Sequence, residues 1–230
     1  MNAEVQTISL PALAFILLPV LITLGILWRW SLQTGKAIHA LLRMLVQLLI
    51  IGYLLTFLFE SDSAWVVLSV LLVMVLASSW IALGTVPELR WRLYRYALLA
   101  IVAGGGVTFA LVILAVLQLE PWYRPQYSIP LAGMVFANAM TSVSLAAERL
   151  ISELRRGDDY TTARDTAMQT ALIPIINSLF AVGLVSLPGM MTGQILSGVS
   201  PLIAVRYQIM VMAMIFGASG IATAMFLLLS

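Results

Sequence analysis

Pro188, Gly189, Met190, Met191, Thr192, Gly193 and Gln194 interrupt an apolar run inside the segment GLVSLPGMMTGQIL, residues 183–196. Proline removes a backbone donor and glycine admits backbone angles closed to other residues, so carbonyls beside them are candidates to face a cation or a polar substrate. Met190 and Met191 add thioethers, which suit soft metals but also serve as flexible apolar filler. Backbone in a bilayer must satisfy its own hydrogen bonds, so a broken helix persists where protein or a water-lined cavity covers it. The segment is therefore expected to form or border a substrate path; the competing reading is a kink used only for packing.

Other polar groups in apolar surroundings extend the candidate path. Arg43 and Gln47 stand four residues apart and share a helix face, with snorkelling of Arg43 to the headgroups as the competing reading. Asn138, Asn177 and Gln194 are candidates for substrate contact or for hydrogen bonds between helices. Met210, Met212 and Met214 point in different directions on a helix and read as packing. The chain has no Cys and one His, His39, and carboxylates are missing from the expected membrane interior, so no metal ligand set is assigned.

A second site is expected in the one extended polar stretch, about residues 148–169. Arg149, Glu153, Arg155, Arg156 and Asp159 lie here and are expected to dock a soluble partner, against the alternative of a solvated connection. Arg149 and Glu153 are spaced for an ion pair on one helix. Gly157 reads as the helix stop, and Thr162 with Asp165 resembles a capping box that starts the next helix.

The elements that must position these residues are membrane spans. The chain of 230 residues is 62% hydrophobic and 10% charged, far more apolar than a typical soluble domain at roughly 45–50%; its mean hydropathy is +1.04. Seven apolar segments near the length needed to cross a bilayer cover about residues 8–28, 37–59, 64–84, 97–119, 128–150, 170–196 and 203–229. The expected fold is an all-α, polytopic transmembrane bundle of about seven spans in one domain, residues 1–230, with the sixth segment broken at Pro188-Gly189. That segment is read as a kinked crossing, with a re-entrant hairpin as the alternative. The first apolar run is read as a span rather than a cleaved leader. Trp28, Trp30, Trp65, Trp80, Trp91, Trp122 and Tyr123 fall near span ends, as interfacial aromatics do. Arginine and lysine concentrate in the first, third and fifth connections, which places the N-terminus outside and the C-terminus in the cytoplasm. Gly104 to Gly106, Gly217 and Gly220, with Ala132 and Gly133, offer close helix approach.

Enzymatic motifs are lacking. Neither HExxH, GxSxG nor GxxxxGK[ST] occurs, and the sole lysine, Lys36, has no phosphate-loop context, so ATP hydrolysis is expected in another polypeptide. A net charge of +2 spread between apolar runs gives no basis for binding nucleic acid.

The second-span residues Arg43, Gln47, Gly52 and Tyr53, with PLAGMVFANAM (130–140), ALIP (171–174), GLVSLPGMMTGQIL and SPLIAVRYQIMV (200–211), together resemble the FetB-type permeases of ABC exporters, uncharacterised protein family 0014. The resemblance covers about residues 40–220 and implies a permease in the bacterial inner membrane. It further implies export of iron or a related metal ion, a homodimer, and a separate ATP-binding FetA-type subunit that carries the only cofactor, ATP. Plant relatives are linked to aluminium tolerance and nucleotide-sugar transport. The chain departs from the family where RRGDDYTTARDTAM replaces a longer cytoplasmic connection, and where Ala137 stands in place of a glycine before Asn138. The shorter connection keeps open an ATP-independent channel or carrier, or a membrane subunit with no transport path.

Overall fold

The computed structural model describes residues 8–230. Two compact units divide the chain, one ending at Glu60 and one running Ser61–Ser230. In the first, α1 (Leu10–Ala14) starts at Ser9, whose hydroxyl accepts from the Ala12 amide at 3.4 Å. It leads into α2 (Leu17–Arg29), and after a short turn α3 covers Thr34–Phe59. Many exposed side chains of these helices are large and apolar, as on lipid-facing surfaces, with Arg43 and Gln47 among the polar exceptions.

The second unit begins with α4 (Ala64–Ala82), followed by two 3₁₀ turns, Leu83–Thr85 and Pro87–Leu89. Next comes one long helix in four pieces: α5 (Arg90–Ile101), a π-helical stretch Val102–Gly106, α6 (Val107–Leu111) and a second π-helical stretch Val112–Val116. The long α7 (Pro125–Arg156) and α8 (Tyr160–Ala181) form a hairpin, and α9 (Gly189–Leu196) and α10 (Pro201–Leu229) close the unit. Among the described residues there is no strand, only one isolated bridge between Val182 and Ser186.

Small residues let these helices meet closely. On α8, Ala163, Ala167 and Ala171 recur every fourth position and are buried, facing α7 and α10. Small buried residues also mark α7, at Ala139, Val143 and Ala146, and α10, at Ala218 and Ala222. Because lipid tails are as apolar as the side chains, such association rests on van der Waals fit rather than on burial from water. At Gly104 the fit is tightest: an added Cβ would lie 2.4 Å from the Ala222 amide nitrogen and 2.7 Å from the Ala218 carbonyl oxygen. The expected close approach at this glycine is thus real, whereas a Cβ on Gly220 would meet nothing within 4 Å and one on Gly217 only Thr108 at 4.0 Å.

Hydrogen bonds fix which ends of the helices coincide. The Thr85 hydroxyl donates to the Ser144 carbonyl at 3.2 Å, Arg155 pairs with Glu88 at 2.8 Å, and the Tyr160 hydroxyl donates to the Leu227 carbonyl. One end of this unit therefore gathers the 83–89 turns, the 157–159 connection and the end of α10. A re-entrant sixth segment would send α10 the other way, so residues 160–196 traverse the bundle.

Six helical stretches are long and apolar enough to span a membrane by themselves, Pro11–Arg29, Thr34–Phe59, Ala64–Thr85, Pro87–Val116, Pro125–Arg156 and Pro201–Leu229. The sixth expected segment, 170–196, falls in two pieces, α8 and α9. Its helix starts at Tyr160, close to the start expected at Thr162 and about ten residues before the apolar segment, and the alanine stripe keeps these polar first turns packed on α7. It stops at Ala181 rather than at Pro188-Gly189.

Candidate functional site

The break between α8 and α9 is a self-contained turn. The amides of Leu184, Val185 and Ser186 all donate to the Ala181 carbonyl, at 3.2, 2.8 and 3.1 Å, and the Gly183 amide donates to Ser186 at 2.9 Å. Gly183 adopts φ +85°, in the left-handed region that side chains disfavour. The expected roles of Pro188 and Gly189 are corrected here. Pro188 is the N-cap of α9 with φ −62° and ψ 147°, so its missing N–H breaks no helical bond. Gly189 is the first helical residue, has no left-handed φ, and would place a Cβ in open space.

A matched pair of substitutions separates these positions. Gly189→Leu is expected to leave the thermal midpoint unchanged. Gly183→Ala forces a side chain into the left-handed region and is expected to cost about 1–2 kcal/mol. Thermal melts of the two purified variants in one detergent check both; equal midpoints would contradict this account of the turn.

The remaining residues expected along the path are dispersed. Met191 lines a groove of about 420 Å³ between the break and α10, with Leu179, Val182, Leu187, Gln208 and Met212 among its walls. Met190 packs against the core, and the Thr192 hydroxyl donates to the Pro188 carbonyl at 3.2 Å. A Cβ on Gly193 would meet nothing, while the Gln194 amide oxygen is shut off from solvent with no hydrogen-bond donor. Asn138 spends its amide nitrogen on its own helix, donating to Met134 at 2.8 Å, and Asn177 is exposed on α8. Arg43 and Gln47 are exposed on α3, in the first unit. Gln208, beside Arg206 and Tyr207 on α10 and not among the expected path residues, is 6% exposed.

The second site lies at the gathered end. Helix α7 finishes in a Schellman motif: Gly157 sits at φ 98°, its amide donates to Leu154 at 3.2 Å, and the Asp158 amide reaches back to Glu153 at 3.3 Å. Gly157 is therefore the stop read from the sequence. The last two turns carry an ion network, with Glu153 Oε1 at 2.5 Å from Arg149 and 3.6 Å from Arg156. Glu153 is 5% exposed, so its carboxylate anchors the Arg149 guanidinium at the bundle while Arg156 extends outward. Between these turns and residues 85–89 runs a groove of about 380 Å³, lined in part by Glu88, Glu148, Ser152, Arg155 and Arg156. Arg90 stacks over Trp80 at 4.6 Å and donates to the Leu83 carbonyl at 3.4 Å, which fixes the opposite wall.

Asp159 borders this surface but is engaged as the N-cap of α8. Its Oδ2 accepts from the amides of Thr161 and Thr162 at 3.0 and 3.2 Å, and its Oδ1 from the Thr162 hydroxyl at 2.6 Å. The cap therefore precedes the expected Thr162–Asp165 box; Asp165 instead pairs with Arg164 at 2.7 Å. The Thr162 hydroxyl, and then the Thr162 amide, hold the Asp159 carboxyl below its ordinary pKa. A lowered folded-state pKa means that the cap contributes fully above the unfolded value of about 3.9 and is lost as pH falls through the folded one. Asp159→Asn keeps the acceptor without the titration. Thermal melts between about pH 6 and pH 3 are expected to show less acid sensitivity in this variant than in the parent; parallel pH profiles would remove the assignment.

Known proteins resemble this chain over most of its length. The sequence profile of "Uncharacterised protein family (UPF0014)" matches residues 10–230. A "UPF0014 membrane protein slr1647" from Synechocystis is 34% identical over 85% of this chain and 82% of its own. "Probable iron export permease protein FetB" from Escherichia coli is 34% identical over 79% and 74%. "Protein ALUMINUM SENSITIVE 3" from Arabidopsis thaliana is 33% identical over 93% and 82%. No solved structure matches the chain.

Proposed function

Because the chain belongs to the UPF0014 family of membrane proteins, we propose that it is the membrane-spanning permease of an ABC-type exporter, energised by a separate ATP-binding FetA-type subunit. One observation carries the reading: the groove between residues 85–89 and the last turns of α7. It is walled by both charged and apolar side chains and stands on a helix end that Glu153 ties to its two arginines. Two connections of the bundle thus present one built surface, as a soluble motor domain needs for its motion to reach more than one helix. Arg149, Arg155 and Arg156 are the docking residues of this reading, with Glu153 and Asp159 positioning them.

The gathered end is then the cytoplasmic one. The permease lies in the bacterial inner membrane with its C-terminus inside and, with the first span added, its N-terminus outside. The break borders the substrate path, along with Arg43, Gln47, Asn138 and Asn177. Iron or a related metal ion is the proposed cargo, from the name of the bacterial relative. Two copies pair about a two-fold axis and offer two matching docking surfaces.

A second reading has its own support. Only residues 157–159 join α7 to α8, which leaves little connection for a motor to grip and favours an ATP-independent carrier. Co-expression with the ATP-binding subunit, followed by purification through a tag on this chain, separates the two. Co-elution of both subunits at the mass of a two-plus-two complex is expected; this chain alone in every fraction would favour the carrier.

A further inference from the structure

The arginines at the gathered end differ in their partners. Arg149, Arg155, Arg156 and Arg164 each pair with a carboxylate, and Arg90 is spent on the Trp80 ring and the Leu83 carbonyl. Arg92 and Arg95, on α5, remain: among the described residues neither pairs with a carboxylate. Arg95 is nonetheless held in place. Its Nη2 donates to the Tyr96 hydroxyl at 2.6 Å, and its guanidinium lies over the Tyr96 ring at 4.6 Å. A guanidinium fixed by a phenol keeps its full charge, and most of its five donors stay free for an acceptor.

Arg92 and Tyr96 are one turn apart and line a groove of about 270 Å³, whose other walls include Leu93, Leu150, Leu154 and Phe226, with Ser230 at the end of α10. On the same face of α5, Leu99 follows one turn beyond Arg95 and Val102 nearly one turn further, both exposed. Depth identifies what meets this face. The apolar stretch Pro87–Val116 has 30 residues, about 45 Å of helix against a hydrocarbon core of about 30 Å, so the first turns of α5 lie among headgroups. Trp91 and Tyr94, from those turns, meet Trp80 edge-on at 4.9 and 5.9 Å, an aromatic cluster of the kind that marks this level. Here a lipid carries its phosphate directly above its chains, and the face of α5 repeats that order, with two uncompensated cations followed by apolar side chains.

We infer that this face binds an anionic phospholipid of the phosphatidylglycerol type. Arg92 and Arg95 donate to its phosphodiester, its glycerol rests in the groove beside Tyr96, and an acyl chain runs along Leu99 and Val102. A headgroup without an ammonium matches a cation pair that no carboxylate offsets, whereas choline or ethanolamine would bring a like charge to the arginines. Leu89 and Ile151 line both this groove and the docking groove and so divide them. The site lies within the second unit and does not depend on an ATP-binding subunit.

Photoactivatable phosphatidylglycerol and photoactivatable phosphatidylcholine, each at trace level in phosphatidylcholine vesicles holding the full chain alone, test it, with labelled peptides mapped by mass spectrometry. The phosphatidylglycerol probe is expected to label residues 89–102 and 147–154 at least about fivefold above the phosphatidylcholine probe. Arg92→Gln with Arg95→Gln should remove that excess at an unchanged thermal midpoint, whereas Arg29→Gln, at the end of α2, should leave it. Arg92→Lys with Arg95→Lys keeps both charges but loses the forked donors and the stacking. That pair is expected to lower labelling about threefold, which separates a built site from diffuse attraction of anionic lipid to a basic surface. Equal labelling by the two probes, or an excess undiminished in the Gln pair or in the Lys pair, would overturn the inference. So would unchanged lipid labelling in a Gln pair that no longer copurifies with the ATP-binding subunit, which would give this face to the partner.

Discussion

Gly104→Ala is expected to destabilise the protein by about 3 kcal/mol or more, at or beyond the upper end of ordinary overpacking, and Gly104→Val to abolish the folded form. The reason is what stands in the way. A methyl group at Gly104 would meet the Ala222 amide nitrogen at 2.4 Å, the Ala218 carbonyl oxygen at 2.7 Å and the Ala222 Cα at 2.8 Å, all backbone atoms of α10. Flexible side chains swing aside, but a helix backbone moves only as a body. Here α10 is also held by α7, α8 and α9. Gly106, in the same π-helical stretch, provides the control: its Cβ would touch only Val102 at 3.9 Å. Gly106→Ala should be neutral or stabilise by up to about 1 kcal/mol, through the lower backbone entropy of the unfolded chain. Thermal melts and size-exclusion profiles of both alanine variants in the same detergent check the contrast. Equal behaviour would mean that the α5–α10 contact is looser than described.

The second large effect is expected at the gathered end, on assembly rather than on folding. Arg155→Glu with Arg156→Glu is expected to reduce binding of the ATP-binding subunit at least tenfold, and stimulation of its hydrolysis with it. Insertion and thermal midpoint should hardly change. Arg155 and Glu88 are 67% and 75% exposed in their side chains, and such surface pairs are worth about 0–1 kcal/mol. Arg156 is 64% exposed and lies 3.6 Å from Glu153, which keeps its closer partner Arg149 at 2.5 Å in the variant. Reversal therefore turns two cations of the proposed docking groove into carboxylates, and the buried Glu153 keeps its Arg149 partner. Copurification and ATPase assays measure the effect. Wild-type stimulation by a correctly inserted double variant would remove these residues from the docking surface.

Much of this architecture is legible in the sequence, and the misses have physical causes. Spans announce themselves by hydropathy, and Gly157 announces a helix stop because few other residues accept φ near 98°. The close approach at Gly104 is readable from three consecutive glycines, but the π-helical winding around them is not, since it depends on how α7 and α10 crowd the helix. In the sixth segment the conspicuous Pro188-Gly189 pair drew the break to itself. The chain leaves the helix seven residues earlier, where Gly183 takes the left-handed conformation and the Ala181 carbonyl gathers three amides. A glycine in a run of Leu, Val and Ser gives no local sign that it, rather than the proline, carries the turn. Similarly, Asp159 rather than Thr162 caps α8, because the Schellman motif at Gly157 delivers the chain directly to the next helix. Burial of Gln208 is not legible either, because one amide in a membrane helix commonly serves as glue between helices.

In the proposed function, this chain moves cargo when a separate subunit hydrolyses ATP. Its most direct test is iron transport into inside-out vesicles reconstituted with this chain alone, with its ATP-binding partner, and with a partner that binds but does not hydrolyse ATP. Accumulation only with the active partner and ATP is predicted. Equal accumulation in all three preparations would establish an ATP-independent carrier, and no accumulation of any metal despite a stable complex would establish a subunit without a transport path; either result would contradict the account.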